Sequence, residues 1–103
     1  MAKTPEGKVK DAVKAAIGEY SNAMYFMPVS GGFGFHGVHD FIVCVAGRFL
    51  SIECKADGGR ITELQSQFTL KVHGAGGLAL YIVGMKDVDL VRTYLDMMGG
   101  IRK

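Results

Sequence analysis

The sequence predicts a single α/β domain, residues 1–103, in which helices flank a mixed central β-sheet. Three observations support this fold class. Apolar residues recur at helical spacing near the N-terminus, two apolar runs joined by a short glycine-containing turn form a hairpin pattern, and another apolar run follows a second helical pattern. A strand, a helix and a returning strand imply a crossover packed on the sheet. The predicted order is therefore α-β-β-β-α-β plus a C-terminal helix.

Bulk composition sets limits on function. The chain has 103 residues, of which 49% are hydrophobic and 21% charged, as in an ordinary globular domain with a modest core. The net charge of +2 is too small to indicate nucleic-acid binding by itself. Two cysteines imply no disulfide framework and suit a reducing compartment. No leader-like or membrane-spanning apolar run is present, so we expect a cytoplasmic protein without a membrane partner.

The first helix has clear start signals. Thr4 is a good N-cap, and Pro5 suits the first helical position. The apolar stripe comprises Val9, Ala12, Val13, Ala16 and Ile17, whereas Lys8, Lys10, Asp11 and Lys14 are expected mostly to face away from it. Glu6 has two interpretations. It is a first-turn carboxylate that favours the helix N-terminus, and its spacing also puts it near the buried edge of the helix, where a functional role is open.

Residues 23–29 are typical of a strand that Pro28 closes, and residues 30–37 are too rich in glycine for a regular element. This loop leads into Asp40, so we expect it to lie at the border of any functional site that contains Asp40. Glycine amides can approach phosphates closely, and Phe33 and Phe35 could stack on bases. Packing of both rings into the core or a dimer interface is the alternative, and the sequence does not decide between them.

Residues 41–46 and 49–55 form the two arms of the predicted hairpin, with a turn at Gly47 and Arg48. The hairpin brings Asp40, before the first arm, next to Glu53 and Lys55 at the end of the second. Adjacent carboxylates repel, so a sequence selected for stability alone would avoid this arrangement. Two carboxylates and a backbone carbonyl suit Mg²⁺. We therefore predict a metal site with a lysine beside it, against the alternative of strand-end salt bridges.

The C-terminal half follows the same alternation of elements. Thr62 is a candidate N-cap for a helix over residues 63–73, with a stripe of Leu64, Phe68 and Val72. Residues 78–83 are continuously apolar and predict a strand buried on both faces. Asp87 is expected to cap a final helix, whose apolar residues are Val88, Val91, Leu95 and Met98.

A family resemblance rests on these residues. Asp40 followed by Glu53, Cys54 and Lys55 resembles the catalytic signature of the PD-(D/E)xK nuclease superfamily, with His39 where the family name has proline. Residues 60–65 resemble the glutamine-bearing helix start of its VRR-NUC branch. The resemblance implies a restriction-endonuclease-like core and DNA phosphodiester hydrolysis that depends on Mg²⁺ or Mn²⁺. Chains of this length resemble stand-alone phage and prophage enzymes, which implies a homodimer acting on branched DNA such as Holliday junctions, in the host cytoplasm.

The resemblance also assigns residue roles. The implied catalytic residues are Asp40, Glu53, Lys55 and Gln65, and the implied metal ligands are Glu6, Asp40, Glu53 and the Cys54 backbone carbonyl. The expected nucleic-acid contacts are Ser30, Gly31, Gly32, Phe33, His39 and Arg60, although a hydrogen-bonded structural role is the alternative for His39. Two other functions stay open: an inactive nucleic-acid-binding or assembly module with the nuclease fold, and a small α/β enzyme that hydrolyses another phosphate ester.

Overall fold

The computed structural model describes residues 3–29 and 36–103. The elements are helix α1 (Pro5–Gly18), strands β1 (Ala23–Phe26), β2 (Phe41–Val45) and β3 (Arg48–Lys55), helix α2 (Glu63–Gly74), strand β4 (Leu78–Val83), the short 3-10 helix Met85–Asp87 and helix α3 (Asp89–Met97). The strands form one sheet in the order β1-β2-β3-β4. Strands β1 to β3 are antiparallel, and β4 is parallel to β3 because α2 makes the crossover. The predicted element order and mixed sheet are confirmed.

The β2–β3 hairpin turns at Ala46 and Gly47, one residue earlier than predicted. Both residues have positive φ, 50° and 77°, as a two-residue hairpin turn of the primed type requires. Val45 therefore pairs with Arg48, and the register continues to the pair of Phe41 and Ile52. One step beyond that last pair, Asp40 stands opposite Glu53.

Strand β3 is buried on both faces, and the two faces differ in chemistry. Leu50, Ile52 and Cys54 are fully buried in the apolar core that α1 and α3 cover. Because side chains alternate along a strand, Ser51 and Glu53 point to the opposite face, where Ser51 contacts His39 and Glu53 contacts Gln65 of α2. The core also takes Val9, Val13, Ala16 and Ile17 from α1, Phe41, Val43 and Val45 from β2, and Val91 and Leu95 from α3. Glu53 therefore lies on the polar face of the central hairpin, beside α2.

Three further details of the prediction are wrong. Leu64 is 49% exposed, whereas Phe68 and Val72 of the predicted stripe are buried, so the buried stripe of α2 begins only at Phe68. Strand β4 is an edge strand, so only Leu80 and Ile82 are buried and its other side chains are half-exposed. Asp87 does not cap α3 with its side chain. It accepts a hydrogen bond from the Val83 N–H at 3.0 Å instead.

None of the helices in the part of the chain that the structure describes is long and apolar enough to cross a bilayer.

Candidate active site

The two predicted carboxylates meet at the open end of the hairpin. Asp40 Oδ2 accepts a hydrogen bond from the Cys54 N–H at 2.9 Å, and Glu53 Oε1 accepts one from the Asp40 N–H at 3.2 Å. Each carboxylate is therefore held by the strand that carries the other. The structure brings Asp40 and Glu53 together as the hairpin pattern predicts, and it does so through backbone contacts that fix both side chains.

Lys55 and Gln65 complete the group around Glu53. The Lys55 ammonium lies 3.4 Å from Glu53 Oε2, and Gln65 Nε2 donates a hydrogen bond to the same oxygen at 3.0 Å. Gln65 also forms a capping box with Thr62: its side-chain oxygen accepts from the Thr62 N–H, and its own N–H donates to the Thr62 hydroxyl. The bonds that begin α2 thus also orient the Gln65 amide toward Glu53.

Lys10 is the site residue that the sequence analysis missed. It was expected to face away from the buried stripe of α1, but its ammonium lies 3.4 Å from Asp40 Oδ1 and 3.2 Å from Glu6 Oε2. Burial works against the charge of this lysine, yet Asp40 and Glu6 together raise its pKa. The one available signal was the i, i+4 spacing from Glu6, which is that of a helical ion pair.

The charge balance of the site is unfavourable for Glu53. Its carboxyl is 3% exposed, and burial, followed by the negative charge of Asp40, raises its pKa to about 7. Lys55 opposes this shift without cancelling it. Glu53 therefore binds a proton more readily than an ordinary glutamate does, and protonation removes the repulsion between the two carboxylates. A bound cation would remove the same repulsion.

The donor set fits a hard divalent cation. Asp40 and Glu53 supply carboxylate oxygens. The N–H and C=O of a strand residue point to the same side, so the Cys54 carbonyl points to the edge of β3 that Asp40 adjoins, since the Cys54 N–H contacts the Asp40 carboxylate. Two carboxylates, one carbonyl and waters are a normal Mg²⁺ environment. In residues 3–29 and 36–103, no three His, Cys, Asp or Glu side chains form a metal-binding group. The Lys10 ammonium contacts both Glu6 and Asp40, so Glu6 as a ligand stays a prediction.

His39 lies beneath the site and not at its surface. The side chain is 1% exposed, and burial lowers its pKa, so the ring is neutral at neutral pH. Its ring nitrogens contact the Ser51 hydroxyl at 2.9 Å and the Gln65 backbone carbonyl at 3.0 Å. This position does not support the predicted contact between His39 and nucleic acid, since both nitrogens are used inside the protein. We revise its role to the hydrogen-bonded alternative.

The remaining predicted contacts with nucleic acid are placed only in part. Arg60 is exposed in the turn between β3 and α2, at the same end of the sheet as Lys55. Ser30, Gly31, Gly32 and Phe33, as well as Phe35, lie outside the described residues.

The fold described above is similar to that of a solved structure. A structure described as "VRR_NUC domain" superposes with a TM-score of 0.73, covering 89% of this chain and 98% of that chain at 17% sequence identity. The fold is that of a VRR_NUC domain. This agreement extends over nearly all of both chains, so the predicted restriction-endonuclease-like core is confirmed. The sequence matches no protein-family profile and no curated protein.

Proposed function

We propose that this protein is a divalent-metal-dependent endonuclease that hydrolyses DNA phosphodiester bonds. The observation that carries the proposal is the Asp40, Glu53 and Lys55 group at the open end of the hairpin, in a chain with the VRR_NUC fold. A second carboxylate beside a buried Glu53 destabilises the folded protein, so a purely structural role does not account for it. A site that binds a cation does.

Each site residue has a role in this proposal. Asp40, Glu53 and the Cys54 carbonyl hold Mg²⁺ or Mn²⁺, and the ion supplies Lewis-acid activation of water and phosphate. Lys55 carries a positive charge beside Glu53, where it stabilises negative charge that develops on the phosphate. Gln65, held by the capping box, orients the attacking water or the phosphate with its amide. Arg60 and the glycine-rich residues 30–37 are proposed to contact DNA.

We further propose a homodimer that acts on branched DNA. The support comes from the family resemblance and from one sheet face that α2 leaves open, on which Met24 is 64%, Phe26 is 56% and Phe49 is 42% exposed. Exposed apolar side chains that share one sheet face suit burial against a second subunit. A two-fold axis would place two sites on a roughly symmetric junction.

The decisive experiment is cleavage of labelled junction, flap, duplex and single-stranded DNAs with Mg²⁺, Mn²⁺ or a chelator. Asp40→Asn and Lys55→Ala are each expected to lower cleavage by at least about 100-fold while the fold survives, because each removes a charge at the reacting phosphate. Asp11→Asn and Lys14→Ala make the same changes on the outer side of α1 and should cleave normally. Wild-type rates in the Asp40 or Lys55 variants would refute the assignment.

Two further outcomes separate the alternatives. Binding of the same DNAs without cleavage in either metal would support the inactive nucleic-acid-binding module. Light scattering tests the dimer: a mass of about twice the 11.1 kDa chain is expected, and a clean monomer at working concentration would contradict paired incision.

A further inference from the structure

We infer that His39 is a positioning residue, whose imidazole fixes the backbone of Gln65 so that its side-chain amide meets Glu53. The inference rests on the proposed function only for its predicted effect on the rate of DNA cleavage. The geometric part concerns the protein itself, because His39 contacts neither carboxylate and acts through the residues around it.

The hydrogen-bond partners determine the tautomer of the ring. The Gln65 carbonyl can only accept, so His39 Nε2 carries the proton and donates across 3.0 Å. His39 Nδ1 is then unprotonated and accepts from the Ser51 hydroxyl at 2.9 Å. The Ser51 hydroxyl of β3 thus donates to the imidazole, and the imidazole donates to the Gln65 carbonyl of α2.

A second donor reinforces the same carbonyl. The Thr69 hydroxyl lies 3.2 Å from His39 Nε2 and 3.1 Å from Gln65 O; because Nε2 carries the ring proton, the hydroxyl accepts from the ring and gives its only proton to Gln65 O. The close contact between Thr69 and the Tyr81 hydroxyl therefore has Tyr81 as donor. The edges of aromatic rings surround His39 at centroid distances of 4.8 Å for Phe68 and 5.7 Å for Tyr81, so the imidazole cannot turn freely.

The ring joins the three segments that carry the site. His39 is the residue before Asp40, Ser51 shares the strand face of Glu53, and Gln65 belongs to α2. His39 and Ser51 are buried and the other members of the network are partly buried, and no buried side-chain nitrogen or oxygen among the described residues lacks a partner. A fully satisfied hydrogen-bond network is rigid, and the loss of one member leaves another unpaired. Loss of His39 would free the Gln65 carbonyl and allow the start of α2 to shift. Such a shift would move the Gln65 amide relative to Glu53.

The first test is NMR of the metal-free protein and needs no activity. Long-range proton–nitrogen spectra should show one histidine with a protonated Nε2 and an unprotonated Nδ1, and this signal should vanish in His39→Gln. A protonated Nδ1 at His39 would overturn the inference. The side-chain amide of Gln65 should be shifted from that of Gln67, an exposed glutamine on the same helix whose bond to Glu63 is long, at 3.4 Å.

Substitution then links geometry to rate. His39→Phe keeps a ring but removes both hydrogen bonds, whereas His39→Gln keeps an N–H donor in reach of the Gln65 carbonyl. In His39→Phe, the Gln65 amide signal should move toward that of Gln67, and kcat should fall about 10–100-fold at unchanged KM for DNA. His39→Gln should restore both. If folded His39→Phe keeps the wild-type amide signal and kcat, the inference is wrong.

A milder pair covers the case in which His39→Phe does not fold. Thr69→Val removes the second donor to Gln65 O at nearly constant shape, and Thr69→Ser retains it. Thr69→Val should shift the Gln65 amide signal and Thr69→Ser should not; equal spectra for the two variants would overturn the inference. A wild-type protein that cleaves no DNA with either metal would refute the proposed function, while the amide and tautomer signals would still decide the positioning role.

Discussion

Glu53→Gln should stabilise the metal-free protein at alkaline pH and lose that advantage in acid. The wild-type carboxyl is buried beside Asp40, and its pKa rises from 4.5 to about 7 on folding. Between these values the folded protein holds a proton that the unfolded chain has released. The free energy of unfolding therefore falls as pH rises through this window. Glutamine at position 53 does not titrate, so its contribution stays constant.

The size of the effect follows from the two pKa values. Each pH unit between them corresponds to about 1.36 kcal/mol, so ionisation of Glu53 costs the folded protein about 3 kcal/mol in full. About 2.5 kcal/mol of this falls between pH 5 and pH 8. Glutamine also has to turn its NH2 group toward either the Gln65 amide or the Asp40 N–H, both of which are donors, and this costs about 1 kcal/mol at every pH. That cost cancels when the difference between variant and wild type is compared at two pH values.

The assay is urea denaturation of both proteins at pH 5 and pH 8 in a chelator. The difference in free energy of unfolding, Glu53→Gln minus wild type, should rise by about 2.5 kcal/mol from pH 5 to pH 8. Asp57→Asn, on an exposed carboxylate, serves as the control and should show no such rise. A difference for Glu53→Gln that is flat with pH would refute the account of Glu53 as a carboxyl burdened by burial and by Asp40.

Two further predictions concern the surroundings of the site. Lys10→Met removes a positive charge beside Asp40, so calorimetry should show Mn²⁺ binding about two- to fivefold tighter. This factor corresponds to the free energy of a partly exposed ion pair. Lys14→Met should leave Mn²⁺ affinity unchanged, and weaker binding in Lys10→Met would contradict the reasoning. Gly37→Ala places a Cβ 2.3 Å from the backbone of α2, whereas the Cβ of Gly47→Ala, at a similar φ, meets open space. Thermal or urea denaturation should therefore show that Gly37→Ala lowers the free energy of unfolding by about 2 kcal/mol more than Gly47→Ala does. Equal losses in the two variants would show that α2 moves to accommodate the Cβ.

The hairpin and its two carboxylates could be predicted because short-range rules determine them. A strand period of two and a two-residue turn leave few registers, and each of them puts Asp40 near Glu53. The turn itself was misplaced by one residue, since Ala46 adopts a positive φ that the sequence does not favour. The capping signal at Thr62 likewise located α2 and, with it, Gln65.

Long-range packing explains what sequence could not supply. Lys10 enters the site only because α1 packs across β1 and β3 and so comes close to Asp40, and helical periodicity does not give that angle. The burial of His39 depends on partners from β3, α2 and β4, which are Ser51, Thr69 and Tyr81. A histidine beside glycine and aspartate looks exposed in sequence, and only the assembled sheet provides hydrogen bonds for both ring nitrogens.

The geometry makes the start of α2 and the site a single structure. Gln65 closes the capping box with one end of its amide and reaches Glu53 with the other, while its carbonyl is held by His39. A helix N-terminus frays easily when it lacks a cap, so a residue placed there needs several bonds to hold its orientation. The apolar face of β3 packs in the core and fixes the strand. Glu53, on the opposite face of the same strand, is therefore held in a position where burial and Asp40 disfavour its charge. A bound cation would relieve this cost, and we therefore expect its affinity to depend on the integrity of the cap.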